Sequence, residues 1–445
     1  MNDQCLTEAT HVQRCDFTTV PTDFEGKRIL ANNISLMVKD PVVVAQGMSE
    51  WLHGARILIN QETSPTLIAF GTLREVEGCS HIVDVPVVVK CFISDVSPKH
   101  QVSVDGLNYE SAVYACVVAN ITSAPFFVFP YAVFEKQPNM DDEFEYHVSN
   151  QLHRLWRATT AYPIAPRRRN ARGSVCKYIV MENCGNRTLS HHVHACDGST
   201  FIKLSLQMLS ALKTLQDNLI THNDLHWRNV LVKLDAPAFC MDATTGKVVE
   251  TAVYPADGTV ADCVVKMERG TLVKIFDWDA AVAHRVGDNP KTHELQMHTK
   301  RFKKMYDTIG FLKTWHATAL HSPWRNNPDN TEMNERCLEA YHESFGELEV
   351  ANPWVFSTGK GGFTQSVCLP SQRHEDDDVE EGEIRDDMEE GEIREDDGSA
   401  NDYDDDCEQK WPPELDLKLE KQVAFFTWRL TRLLPRNHLA RRVDR

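Results

Sequence analysis

Strand-forming sequence is crowded into the first part of this chain, and that order limits the architectures open to it. ARILIN, TLIAFGTL and VDVPVVVKCF, between Ala55 and Phe92, are β-branched runs separated by Gly, Pro and polar residues. Such runs read as short strands. Phe126 to Phe134 and KYIVM at Lys177–Met181 read as further strands. Helical spacing first shows between Tyr109 and Ile121, where Val113, Cys116, Val117 and Ile121 recur on one face. It dominates from Phe201 to Leu219, from Glu294 to Leu320 and from Asn334 to Leu348. Val230–Leu234 and Thr271–Phe276 read as a hairpin around a mixed insertion. Strands first and helices later give an α+β class, with a sheet-rich part followed by a helical part.

Charge separates the tail from the rest. Between Glu375 and Glu408 there are 20 acidic and 2 basic residues, while the remaining chain carries 45 of each sign. A broad nucleic-acid-binding surface is therefore not expected. The acidic stretch holds a nine-residue repeat, DVEEGEIRD at 378–386 and DMEEGEIRE at 387–395. Self-repulsion and a shortage of apolar side chains predict disorder over 371–410. The segment 411–445 regains apolar spacing and ends basic, with Arg429, Arg432, Arg436, Arg441 and Arg442. Two readings of it stand: the last helix of the helical part, or a helix that meets a partner or a membrane surface. No run of about 18 apolar residues predicts a membrane span. The N-terminus lacks the layout of a signal peptide. The 13 cysteines contain no CxxC pair, which points to free thiols in a reducing compartment.

The densest chemistry lies at Thr221–Leu234, THNDLHWRNVLVKL. A polar turn between an amphipathic helix and an apolar strand presents His222, Asp224, His226 and Asn229. An Asp and an Asn so spaced can divide proton acceptance from metal ligation. A polar loop with an Asp cap would look the same. KIFDWDAA delivers Asp277 at the end of an apolar strand, a position suited to a divalent cation or to a plain turn. Lys90 in VPVVVKCF needs an anionic partner if it is buried. Glu110, early in the next helix, is the candidate. An edge-strand lysine facing solvent is the alternative.

Taken in order, Lys90, Glu110, His222-x-Asp224-x-x-x-x-Asn229 and Asp277 resemble the protein kinase-like superfamily, and in particular the divergent serine/threonine kinase-like proteins of large DNA viruses. The resemblance covers roughly Leu67 to His321. It implies a two-lobed fold: an N-terminal extension at 1–54, a small β-rich N-lobe at 55–182, a helical C-lobe at 183–370, then the acidic linker at 371–410 and the helix at 411–445. It implies ATP and Mg²⁺ as cofactors and transfer of the γ-phosphate to a hydroxyl of a protein substrate, in the cytoplasm of a host cell or in a virion. Lys90 would hold phosphates and pair with Glu110, Asp224 would act as base, and His222 would support the loop. Asn229 and Asp277 would hold the metal. Met181, Glu182, Asn183 and Cys184 would line adenine, with Gly71 over the phosphates. Asp307 is either a buttress of the catalytic loop or a surface residue.

The spelling departs from the family in several places. FGTLREVEGC offers Gly71 and Gly78 but no G-x-G-x-x-G, and Asp279 replaces the glycine of D-F-G. D-L-H is closer to aminoglycoside- and choline-kinase-like enzymes. A small-molecule phosphotransferase and a non-catalytic, pseudokinase scaffold therefore stand as alternatives.

Overall fold

The computed structural model describes residues 24–58, 66–74, 84–93, 101–121, 125–159, 175–193, 195–243, 247–249, 264–267, 269–294, 302–321, 328–351, 413–435 and 438–440. The acidic stretch, Gly78 and the last arginines lie outside these residues. The class is α+β. Strands β1 (Leu52–Leu58), β2 (Thr66–Leu73), β3 (Val85–Ile93), β4 (Pro130–Lys136) and β5 (Cys176–Glu182) form an antiparallel sheet in the order β1-β2-β3-β5-β4. Each of the expected runs contributes a strand. The apolar run at 126–129 reaches the sheet only at Pro130, and Phe127 instead bridges to Ile275.

Strand β3 shows why its sequence is almost unbrokenly apolar: both of its faces are covered. Val87, Val89 and Cys91 join one core with helices α1 (Phe24–Met37) and α4 (Glu143–Thr159). Val88 and Phe92 face the other core, shared with helix α3 (Gln101–Cys116). Lys90 falls between Val88 and Phe92 on that second face. Helix α1 was not foreseen in the mixed sequence before residue 50. It stands on Leu30, Ile34 and Met37, an i, i+4, i+7 stripe that is buried at 0–2% exposure. It is followed by the short helix α2 (Pro41–Gln46), capped by Asp40. Helix α3 starts eight residues before the expected Tyr109 and ends at Cys116 rather than Ile121.

The helical part is built on α6 (Gly198–Asp217), whose N-cap Asp197 accepts the amide of Thr200. Short α5 (Leu189–Val193) precedes it. A two-residue strand β6 (Ile220–Thr221) leads into the hairpin of β7 (Val230–Lys233) and β11 (Leu272–Ile275). The insertion within this hairpin has structure of its own. Strands β8 (Phe239–Asp242), β9 (Val248–Val249) and β10 (Val264–Met267) form a small sheet that the C-terminal strand β13 (Leu439–Ala440) completes beside β10. Beyond β11 come β12 (Val282–Ala283), paired with β6, and helices α7 (Pro290–Glu294), α8 (Tyr306–His321) and α9 (Pro328–Ala351).

The last helix, α10 (Pro413–Leu433), belongs to this core. Leu415, Leu419, Phe426 and Leu430 are at most 5% exposed, and α10 packs on α9 and α6. Its apolar face is thus spent on the protein itself, while Leu417, Phe425 and Trp428 stay in solvent. Trp315 lies at the centre. It stacks on Phe201 and Tyr341, meets Phe426 edge-on at 5.0 Å, and donates its indole N–H to the Ser205 hydroxyl at 2.7 Å. No helix among the described residues is long and apolar enough to cross a membrane.

Phe426→Ala removes a ring from the middle of this aromatic cluster. It should cost about 3–5 kcal/mol in denaturant unfolding. Trp428→Ala, two residues on and 40% exposed, should cost about 1 kcal/mol or less. Equal costs would contradict the placement of α10 in the core.

Candidate functional site

Lys90 is the meeting point of three separate elements. Its ammonium donates to Glu110 Oε2 of α3 at 2.6 Å and to Asp277 Oδ1, just past β11, at 2.9 Å. Lys90 is 8% and Glu110 1% exposed. Burial works against the lysine charge, yet Asp277 and Glu110 hold its pKa well above the ordinary value. Burial pushes the Glu110 carboxyl up to about 7 against the pull of Lys90. Burial also raises Asp277, but Lys90 and its hydrogen bond bring it net below the usual carboxylate value. Asp277 is therefore the ionised partner. Glu110 is the more weakly acidic of the two carboxyls, because burial outweighs its share of the lysine charge.

The turn after β6 is fixed by Asp307 at the start of α8. Its carboxylate accepts the backbone N–H of His222 at 2.6 Å and of Asn223 at 3.0 Å. Asp307 is 5% exposed and is a buttress, not a surface residue. Asn223 adopts φ 66°, and Asp277 has φ 69°. Both lie in the left-handed region, which Asn and Asp tolerate better than other side chains and which clusters at functional sites. His222, fully buried, faces a carbonyl that can only accept, so Nε2 donates to Phe276 O at 2.9 Å. Its ring packs on Trp278 at 4.8 Å, and Trp278 in turn meets Tyr114 of α3 and Phe127. An apolar column thus runs from α3 through Trp278 to the turn, alongside the polar link through Lys90.

Asp224 and Asn229 stand together. The Asn229 amide nitrogen donates to the Asp224 carbonyl at 2.9 Å and to Asp224 Oδ2 at 3.1 Å. That leaves the amide oxygen of Asn229 as its donor toward a cation. The Asp224 side chain is 39% exposed and lies 3.8 Å from His226 Nε2, so it is open to an incoming hydroxyl. Among the described residues no group of three or more His, Cys, Asp or Glu side chains is arranged to hold a metal ion. The Asn229 amide and the Asp277 carboxylate are hard oxygen donors and fit Mg²⁺, which takes few protein ligands and keeps water and phosphate oxygens for the rest.

Other expected residues sit elsewhere. Gly71 is not in a phosphate-covering loop. It lies inside β2 opposite Val87, where a Cβ would come within 2.6 Å of Leu52 Cδ1. Its smallness serves the approach of β1. Residues 59–65, between β1 and β2, are outside the described residues. Met181 and Cys184 are buried at the end of β5 and beyond it, and Asn183 Oδ1 accepts the N–H of Gly185.

The N–H and the carboxylate of Glu182 are both engaged within the protein. Its N–H is taken by Phe129 O. Its carboxylate is held by Lys27 of α1 at 2.8 Å, Lys233 of β7 at 2.7 Å and Lys274 of β11 at 2.8 Å. Burial opposes that carboxylate's charge, but Lys274, Lys27 and Lys233 keep it well below the ordinary value. Neither this cluster nor the role of Asp279, which pairs with Lys291 of α7, is spelled by any short motif. No family model matches the chain, and no curated protein matches it.

Three ammoniums around one carboxylate leave surplus positive charge in a buried place. Burial and the neighbouring Lys274 lower Lys27 to about 8. Lys27→Met should therefore melt at or above the wild-type temperature at pH 7, because Glu182 keeps two lysines. Between the folded value near 8 and the unfolded value of 10.5, the unfolded chain binds the extra proton. Wild-type stability then rises with pH, and the variant's advantage should shrink across that window. An advantage that grows from pH 8 to 10 in thermal scans would refute this account.

Proposed function

We propose that this chain is an ATP-dependent phosphotransferase of protein kinase-like architecture. In this reading the five-stranded sheet with α3 is the small lobe, and the helices around α6 form the large one. The observation that carries the reading is the three-way contact of Lys90 with Glu110 and Asp277. Those residues were singled out from sequence as one constellation, and they come from β3, α3 and the end of β11.

Phosphoryl transfer is mostly positioning and charge neutralisation. Lys90, charged and held on two sides, is placed to meet nucleotide phosphates. Asp224, partly exposed and steadied by Asn229, is placed to orient an acceptor hydroxyl and take its proton. His222 and Asp307 fix the turn that carries Asp224. Mg²⁺, held by Asn229 and Asp277, would supply neutralisation of phosphate charge.

A protein hydroxyl is the proposed acceptor. The short stretch from Asp277 to α7 favours a second acceptor class, a small-molecule hydroxyl, since it leaves little platform for a peptide.

The test is γ-phosphate transfer to a protein mixture and to small hydroxyl compounds. Asp224→Asn keeps size and loses the proton acceptor. It should lower the rate by about 100-fold or more while the melting temperature still rises with Mg·ATP. Transfer by Asp224→Asn at the wild-type rate would remove the base assignment. A wild type that binds Mg·ATP without transfer would point to a scaffold.

A further inference from the structure

Glu110 can meet Lys90 only while α3 is held inward, and the residue before it makes the contact that does this. The Tyr109 hydroxyl accepts the N–H of Ala283 at 2.8 Å and donates to Gly287 O at 2.9 Å. Tyr109 is 5% exposed. Its two partners close a tight turn in which Val286 N and Gly287 N both donate to Ala283 O. One helical turn earlier, Gly106 lets α3 lie close to the same segment. A Cβ there would come within 2.7 Å of Lys291 Cδ and 3.3 Å of Asp279 O.

The segment itself is tied down from within. Asn289, fully buried, donates to Asp279 O at 2.9 Å and to Ala281 O at 2.8 Å. Lys291 pairs with the Asp279 carboxylate. Between Asp277 and Glu294 the sequence has a single hydroxyl side chain, Thr292. It is fully buried, and its hydroxyl donates to Asn289 O at 2.8 Å. Nothing in this stretch offers an accessible hydroxyl for a phosphate. Its order rests on neutral hydrogen bonds and one ion pair.

We infer that Tyr109 is the positioning residue that keeps Glu110 against Lys90, by fastening α3 to the backbone at Ala283 and Gly287, so that the site is assembled without a phosphate on residues 277–294. The consequence for rate rests on the phosphotransferase reading; the fastening does not.

Hydrogen exchange on the full chain tests the fastening directly. Tyr109→Phe keeps the ring and removes the hydroxyl. Exchange should quicken in 101–116 and 282–287 and stay unchanged in α6. In transfer assays kcat should fall about tenfold, the weight of one to two hydrogen bonds, with KM for ATP within roughly threefold. Wild type treated with phosphatase should keep its full rate. Unchanged exchange in both segments overturns the inference, and so does loss of wild-type activity on phosphatase treatment. If wild type neither binds nor uses Mg·ATP, the phosphotransferase reading falls, and exchange still decides the role of Tyr109. If Tyr109→Phe does not fold, exchange of the wild type decides: 101–116 and 282–287 should open with one common free energy, and independent opening of the two overturns the inference.

Discussion

A buried ammonium shared by two carboxylates organises this protein. Lys90 would be costly in the second core without Glu110 and Asp277, and neither carboxylate would be tolerable there without Lys90. The requirement reaches outward. It fixes how far α3 stands from β3, where β11 must end, and which backbone conformation Asp277 adopts. Trp278 follows Asp277 directly, so the same placement seats its ring between Tyr114 and His222. Polar and apolar links from α3 to the turn at His222 are therefore set by one geometric decision.

The lysine cluster at Glu182 is a second tie between the two cores, with a different balance. At Lys90 one amine meets two carboxyl groups; at Glu182 one carboxyl group meets three amines. The sheet, α1 and the β7–β11 hairpin converge on it.

Much of this could be read from the chain because it is written locally. Lys90 stood out as a lysine in an unbroken apolar strand, and Asp224, Asn229 and Asp277 as polar residues at fixed offsets from strands. The misses have a common physical origin. Lys27, Lys233 and Lys274 look like ordinary surface lysines, because their shared partner is 51 to 155 residues away. Tyr109 reads as part of a helical face, and its acceptor lies 178 residues on. Gly71 reads in the sequence as part of a ligand loop, whereas it answers to a close strand contact. Helix α1 carries a proper apolar stripe, but polar residues between its members hide the period.

The order of elements also bears on how the chain is made. Trp315, Tyr341 and Phe345 receive part of their cover from Phe426, and β10 receives its second neighbour from Leu439 and Ala440. These partners follow the acidic stretch. During vectorial synthesis the sheet and its helices can close early. The aromatic centre of the helical part stays open until the ribosome has passed the 20 acidic residues between Glu375 and Glu408 and released α10. A strongly charged stretch is thus synthesised while that apolar surface is uncovered, and like charge on neighbouring unfinished chains opposes their association.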